Sequence, residues 1–177
     1  MSQKIPVAAQ FLEMHRLLLL LAVCSAAIAE PPPIRLLPAD GLYSLPLEQA
    51  GQLFHQCSRG APDPGAGLWS PLRSEIAALE IALPPYLAER KAAMQPTPPE
   101  KVEYGRQYVG FTRKGAHLIY GNFFPLSLWS MPPSASRGLP DPASWPVIIC
   151  DGGPTLWGIV YNPATNSFEE PQFNGPL

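Results

Sequence analysis

Residues 104–124 read YGRQYVGFTRKGAHLIYGNFF, and the fold class turns on how this stretch is parsed. Aromatic and β-branched residues alternate with polar or small ones on both sides of Lys114-Gly115, the pattern of two strands joined by a tight turn. The spacing predicts a hairpin of Tyr104–Thr112 against His117–Phe124. A two-residue turn at Lys114-Gly115 sets its register: Phe111 opposes Leu118 and Val109 opposes Tyr120, and these four share one face, which reads as core. On the other face Thr112 meets His117, Gly110 meets Ile119, Tyr108 meets Gly121 and Arg106 meets Phe123. A slip of one residue would exchange the faces.

C-terminal to the hairpin, residues 125–146 form a long proline-rich connection whose Trp129 and Trp145 are expected to pack back on the body. Val147–Cys150 reads as a short apolar strand, Asp151-Gly152-Gly153 as a turn and Leu156–Tyr161 as a strand. Asn162–Asn166 is the next turn, leading into Ser167–Glu170. N-terminal to the hairpin the period changes to helical. Ser70-Pro71 is the expected N-cap and first helical position, with Leu72, Ile76, Leu79 and Leu83 as the apolar stripe and Arg73 and Glu80 on the surface. Pro84-Pro85 should end or kink this helix, with Tyr86–Ala93 open to a further helical turn or two. Further back, Ser44 is placed to cap a short helix whose Leu47, Ala50, Phe54 and Cys57 lie on one face, turning Cys57 toward the core. Gln95–Pro99 reads as a rigid linker. Helices before strands predict an α+β fold: an antiparallel meander of about four to five strands with one main helix packed on it, preceded by a short helix.

The first 29 residues have a different character. Met14-His15-Arg16 gives a basic start, Leu17–Leu21 an apolar stretch, and Ala27-Ile28-Ala29 a small-x-small ending, the three parts of a secretory signal peptide beginning at Met14 and cleaved before Glu30. Leu17–Ala29 falls short of the about 20 residues a membrane-spanning helix needs, and Pro31-Pro32-Pro33 blocks its extension. The expected organisation is therefore a signal peptide at 1–29, a proline-rich segment with a short helix at 30–69, and an α+β body at 70–177 that forms one domain with 41–69. Leu21-Ala22-Val23-Cys24 offers an alternative, a lipoprotein anchor on Cys24, but Val23 stands where Gly, Ala or Ser is usual. No transmembrane segment is expected in the mature chain. The location expected is periplasmic or secreted.

The chain of 177 residues carries a net charge of −2 and 24 prolines. No basic stripe points to nucleic acid. Of its 3 cysteines, Cys57 and Cys150 survive signal removal, and in an oxidising compartment they are expected to form a disulfide. His55 and Cys57 do not have metal-ligand spacing, so no metal and no cofactor are expected. A Cys150 thiolate with His117 as base would require a free thiol. Glu75 and Glu80 diverge on the helix, no Gly-x-Ser-x-Gly elbow occurs, and Asp151-Gly152-Gly153-Pro154 lacks a helix to complete a phosphate loop. No catalytic residue is assigned. The candidate binding face is the outer face of the hairpin, with Arg106, Tyr108, His117 and Ile119.

The strings Arg106–Phe111, Ile119–Pro125, Cys150–Pro154 and Trp157–Thr165 resemble a group of small exported proteins of Gram-negative bacteria to which no activity is assigned. The likeness runs from Leu72 to Gly175. It implies an envelope location and carries over no catalytic residue. The functional expectation is a non-enzymatic binding, accessory or inhibitor module acting on another envelope protein. The alternatives are a small cell-envelope hydrolase and a lipid-anchored structural protein.

Overall fold

In the computed structural model the described residues are 42–129 and 139–176, so the segment expected to be a signal peptide, its expected cleavage point and Cys24 lie outside them. The hairpin forms as its alternation predicts. β3 (Tyr104–Arg113) and β4 (Ala116–Pro125) pair antiparallel with Phe111 opposite Leu118, Val109 opposite Tyr120 and Arg106 opposite Phe123. Lys114 and Gly115 both take left-handed backbone angles, φ 53° and 79°. A two-residue turn needs these to follow the strand twist; Gly115 adopts them freely and Lys114 does so against the preference of a residue with a Cβ.

Around this hairpin the sheet runs β1–β3–β4–β5–β6, with β2 also on β3 and β7 also on β5. β5 (Trp157–Asn162) continues the antiparallel run. Short pieces cover both edges: β1 (Leu42–Ser44), β2 (Leu68–Trp69), β6 (Ser167–Phe168) and β7 (Gln172–Phe173). β1 pairs parallel with β3, whereas β2, β6 and β7 pair antiparallel. The fold is thus α+β with a mostly antiparallel sheet. Trp69 lies flat on β3 at Gly110, where a Cβ would come within 2.3 Å of its indole; only glycine permits that approach.

Each face of the sheet has its own core. Val109, Phe111, Leu118, Tyr120 and Val160 pack against Leu45, Ala50, Leu53 and Phe54 of the segment carrying α1 (Leu47–Ala50) and the 3-10 turn Gly51–Phe54. On the reverse face Tyr108, Ile119, Phe123, Trp157, Ile159 and Tyr161 pack against Leu79 and Leu83 of α2 (Arg73–Arg90). Phe123 and Trp157 stack there at 3.8 Å between ring centroids.

Several expectations are corrected. α1 starts after Pro46, and Ser44 ends β1 instead of capping a helix. The helical stretch stops at Phe54, so Cys57 is at the surface and not on a buried helix face. α2 starts after Leu72, whose N–H donates to the Glu75 carboxylate at 2.7 Å, so Ser70 is not the cap. It also runs through Pro84 and Pro85 to Arg90. Each proline removes a backbone donor, but packing under the second half offsets the loss. Tyr86 lies against Phe168 at 4.8 Å and donates to the Glu169 carbonyl, and Arg90 pairs with Glu170. Glu80, expected at the surface, is buried. Val147–Cys150 is not a strand.

Leu79 is fully buried between α2 and the sheet. Leu79→Ala should cost about 2–5 kcal/mol, the range for emptying a packed leucine site, read as a lowered urea midpoint with unchanged slope.

Candidate functional site

The hairpin register places Gln107 opposite Asn122 on the same face as Val109 and Tyr120, a polar pair where the pattern calls for core. Both are buried, at 0% and 1% exposure. They serve as backbone surrogates for the segment after residue 139. Gln107 donates to the carbonyls of Pro142 and Trp145, each at 2.7 Å, and accepts from the Val147 N–H at 2.8 Å. Asn122 donates to the Val147 carbonyl at 3.0 Å and to Gln107. Near the C-terminus, Asn174 donates to the carbonyls of Ile149 and Asp151. Side-chain amides therefore satisfy the main chain that a strand ladder would otherwise serve, and this is why 147–150 forms no strand.

Arg59 completes the group. Its guanidinium donates to the side-chain oxygens of Asn122 and Asn174, the latter at 2.6 Å, and to the Tyr120 hydroxyl at 3.4 Å. Arg59 is buried, and among the described residues no carboxylate pairs with it. Neutral oxygens solvate the cation. Two residues away, Cys57 is bonded to Cys150, with Cα atoms 5.1 Å apart. Both cysteines lie at the surface.

The expected outer face is not open. Arg106, Tyr108 and Ile119 are buried beneath α2, and only His117 is exposed, lying against Trp69 at 5.2 Å. α2 covers this face, which is therefore not available as the expected binding surface. Glu80 on its underside pairs with Arg106 at 3.3 Å and accepts from the Tyr108 hydroxyl. Burial raises the Glu80 carboxyl above its ordinary range, against the opposing pull of Arg106 and of the Tyr108 bond. Burial also pushes the Tyr108 phenol well up, with the Glu80 charge adding to it, so Tyr108 remains a donor. Cys150 is oxidised and His117 stacks on an indole, so the thiolate–imidazole pairing is not assembled.

Open concave surface occurs on the opposite, Val109-bearing face. A groove of about 460 Å³ is lined by Arg113, Lys114, Leu118, Val160 and Phe168, among others. A second, of about 300 Å³, continues over Tyr120, Gly158 and Gln172 beside the 60–62 loop, and the two share Val160 and Glu169. Arg113 is paired with Glu169 and Glu170 with Arg90, whereas Lys114 has no ion-pair partner among the described residues. Lys114 therefore leaves one positive charge uncompensated at the edge of the groove.

No three of His, Cys, Asp and Glu converge on a metal-binding position among the described residues, and no helix there is long and apolar enough to cross a membrane. No family model matches the chain, and neither a curated protein nor a solved structure matches it.

Two predictions test these arrangements. The disulfide spans a sequence separation of 93, and closing so long a loop gives about 4–5 kcal/mol in the chain-entropy model. Cys57→Ser with Cys150→Ser should therefore lower the unfolding free energy by up to that amount in non-reducing urea titrations. For Glu80 the sign follows from its raised native pKa. The native state binds the proton more tightly than the unfolded chain, so this contribution is full below the unfolded value near 4.5 and declines as pH rises through the native pKa. The stability of wild type relative to Glu80→Gln should fall as pH increases from 4.5 upward; parallel curves would refute the assignment.

Proposed function

We propose that this chain is an exported, periplasmic or secreted binding module that holds an extended segment of another envelope protein, with no chemistry of its own. The carrying observation is the Cys57–Cys150 disulfide, a bond that persists in oxidising compartments and is rare in reducing ones. The export signal read at Met14–Ala29 and the resemblance to small exported Gram-negative proteins support the same location. An accessory or inhibitory role fits a rigid body whose polar interior is used to hold its own loops.

The groove is the surface this reading assigns to the partner. Its floor is apolar, from Leu118, Tyr120 and Val160, and Lys114 stands uncompensated at its rim. An extended segment alternating apolar and acidic residues is complementary: apolar side chains meet the floor and carboxylates meet Lys114.

Two measurements test the proposal. Fractionation with intact-mass analysis should find the oxidised chain outside the cytoplasm starting at Glu30; a reduced cytoplasmic chain overturns the location. A blocked peptide alternating leucine and aspartate should shift the amide resonances of Leu118, Val160 and Ser167. Lys114→Glu should weaken that binding about tenfold, a typical effect of reversing a rim charge. Equal response to a leucine–lysine peptide would remove the groove assignment.

A further inference from the structure

The outward side of α2 does not look like a solvated helix face. Ile81 is 75% exposed, and Ser74, Ala77, Ala78, Pro85 and Ala88 are exposed beside it. From Ser74 to Ala88 no charged side chain interrupts this stripe, while the one carboxylate in the middle of the helix, Glu80, is turned inward to Arg106. A helix apolar on both sides is normally covered on both sides.

The charges at the ends of the stripe identify the cover. Arg73 and Glu89 are exposed and have no ion-pair partner among the described residues. Each is eight residues from Ile81, hence about 12 Å along the axis on either side of it, and rotated about 80° from it toward opposite flanks. A second copy laid antiparallel across Ile81 by a two-fold axis puts positive end against negative end twice; a parallel arrangement would set like against like. The flank offset also selects the crossing. With Arg73 and Glu89 on opposite flanks, their charges meet only if the helices cross with right-handed inclination, at about −50° to −60°. That is the commonest helix-packing class, in which rows of residues four apart interdigitate. Ala77, Ile81 and Pro85 are such a row, and the small side chains around Ile81 allow the axes to approach closely.

We infer that α2 is the self-association surface of this chain: an antiparallel two-fold dimer crossing at Ile81, closed by reciprocal Arg73–Glu89 ion pairs. It is separate from the groove, which lies on the other face of the sheet, so either assignment can fail without the other. A single helix pair is a small interface, so the dimer is expected to be weak and concentration-dependent.

Sedimentation equilibrium of the full chain with its disulfide formed, up to about 1 mM, is the test. Wild type should show a reversible monomer–dimer equilibrium. Ile81→Glu should weaken it at least about 30-fold, as loss of a central apolar anchor does, while the melting temperature stays unchanged because the side chain is exposed. Arg73→Glu should weaken it about tenfold by turning two attractions into repulsions. The double variant Arg73→Glu, Glu89→Arg should restore it, which a merely structural role for either residue would not do. Ile81→Cys should give a symmetric disulfide-linked dimer. A monomer throughout the range, a dimer indifferent to Ile81→Glu, failure of the charge swap to rescue, or adsorption to phosphatidylglycerol vesicles in place of self-association would each overturn the proposal.

Discussion

A cation buried without a counter-ion is the constraint on which the rest of this structure depends. The Arg59 guanidinium is accommodated in the interior because three oxygens from two separate parts of the chain are brought to it: Tyr120 and Asn122 from the central strand and Asn174 from the C-terminal segment. Isolated desolvation of a guanidinium would cost several kcal/mol, so each of those positions is bound to the others. The amides that solvate Arg59 also terminate the main chain of the 139–151 segment. Irregular chain here has the hydrogen-bond closure usually found in a sheet. The neighbouring disulfide ties the same two regions covalently.

The two faces of the sheet solve different problems. Under α2 the core is aromatic, and its buried charges are paired as Glu80 with Arg106. On the reverse face the core gives way to amide-rich interior near Asn122, and the remaining concavity is floored by apolar side chains and edged by charge. On that face the buried amides of Gln107, Asn122 and Asn174 hold main chain of the 139–151 segment, and Arg59 is held by side-chain oxygens.

Much of this was legible in the sequence, and the limits have physical causes. The hairpin register followed from alternation and the Lys114-Gly115 turn, because a period of two has only two phases and the turn length selects one. The disulfide followed from cysteine arithmetic, and the α+β class from the change of period. The prolines in α2 misled because propensity is local, whereas Tyr86 and Arg90 hold that half of the helix through contacts about 80 residues away in sequence. The strand expected at 147–150 failed for the same kind of reason: its hydrogen bonds are taken by side chains of Gln107, Asn122 and Asn174. The outer face was described with the right residues and the wrong neighbour, since nothing local says which face a helix will cover. One signal did exist for the polar interior. The predicted register already placed Gln107 and Asn122 on the core side, and a polar pair at matched core positions marks a site with long-range partners. Arg59 and Asn174 had no such marker.

The pieces that seal the sheet edges have a further consequence. β6 and β7 are two residues long each, and β1 only three, so each contributes few main-chain bonds of its own. Fluctuations that lift one of them need much less free energy than global unfolding. Such an opening bares the unpaired backbone of β5 or β3, in a stretch rich in β-branched and aromatic residues. Amide exchange in this protein should therefore be fastest at the sheet's margins and slowest in β4, and the native ensemble, more than the denatured one, becomes the place where chains first meet edge to edge.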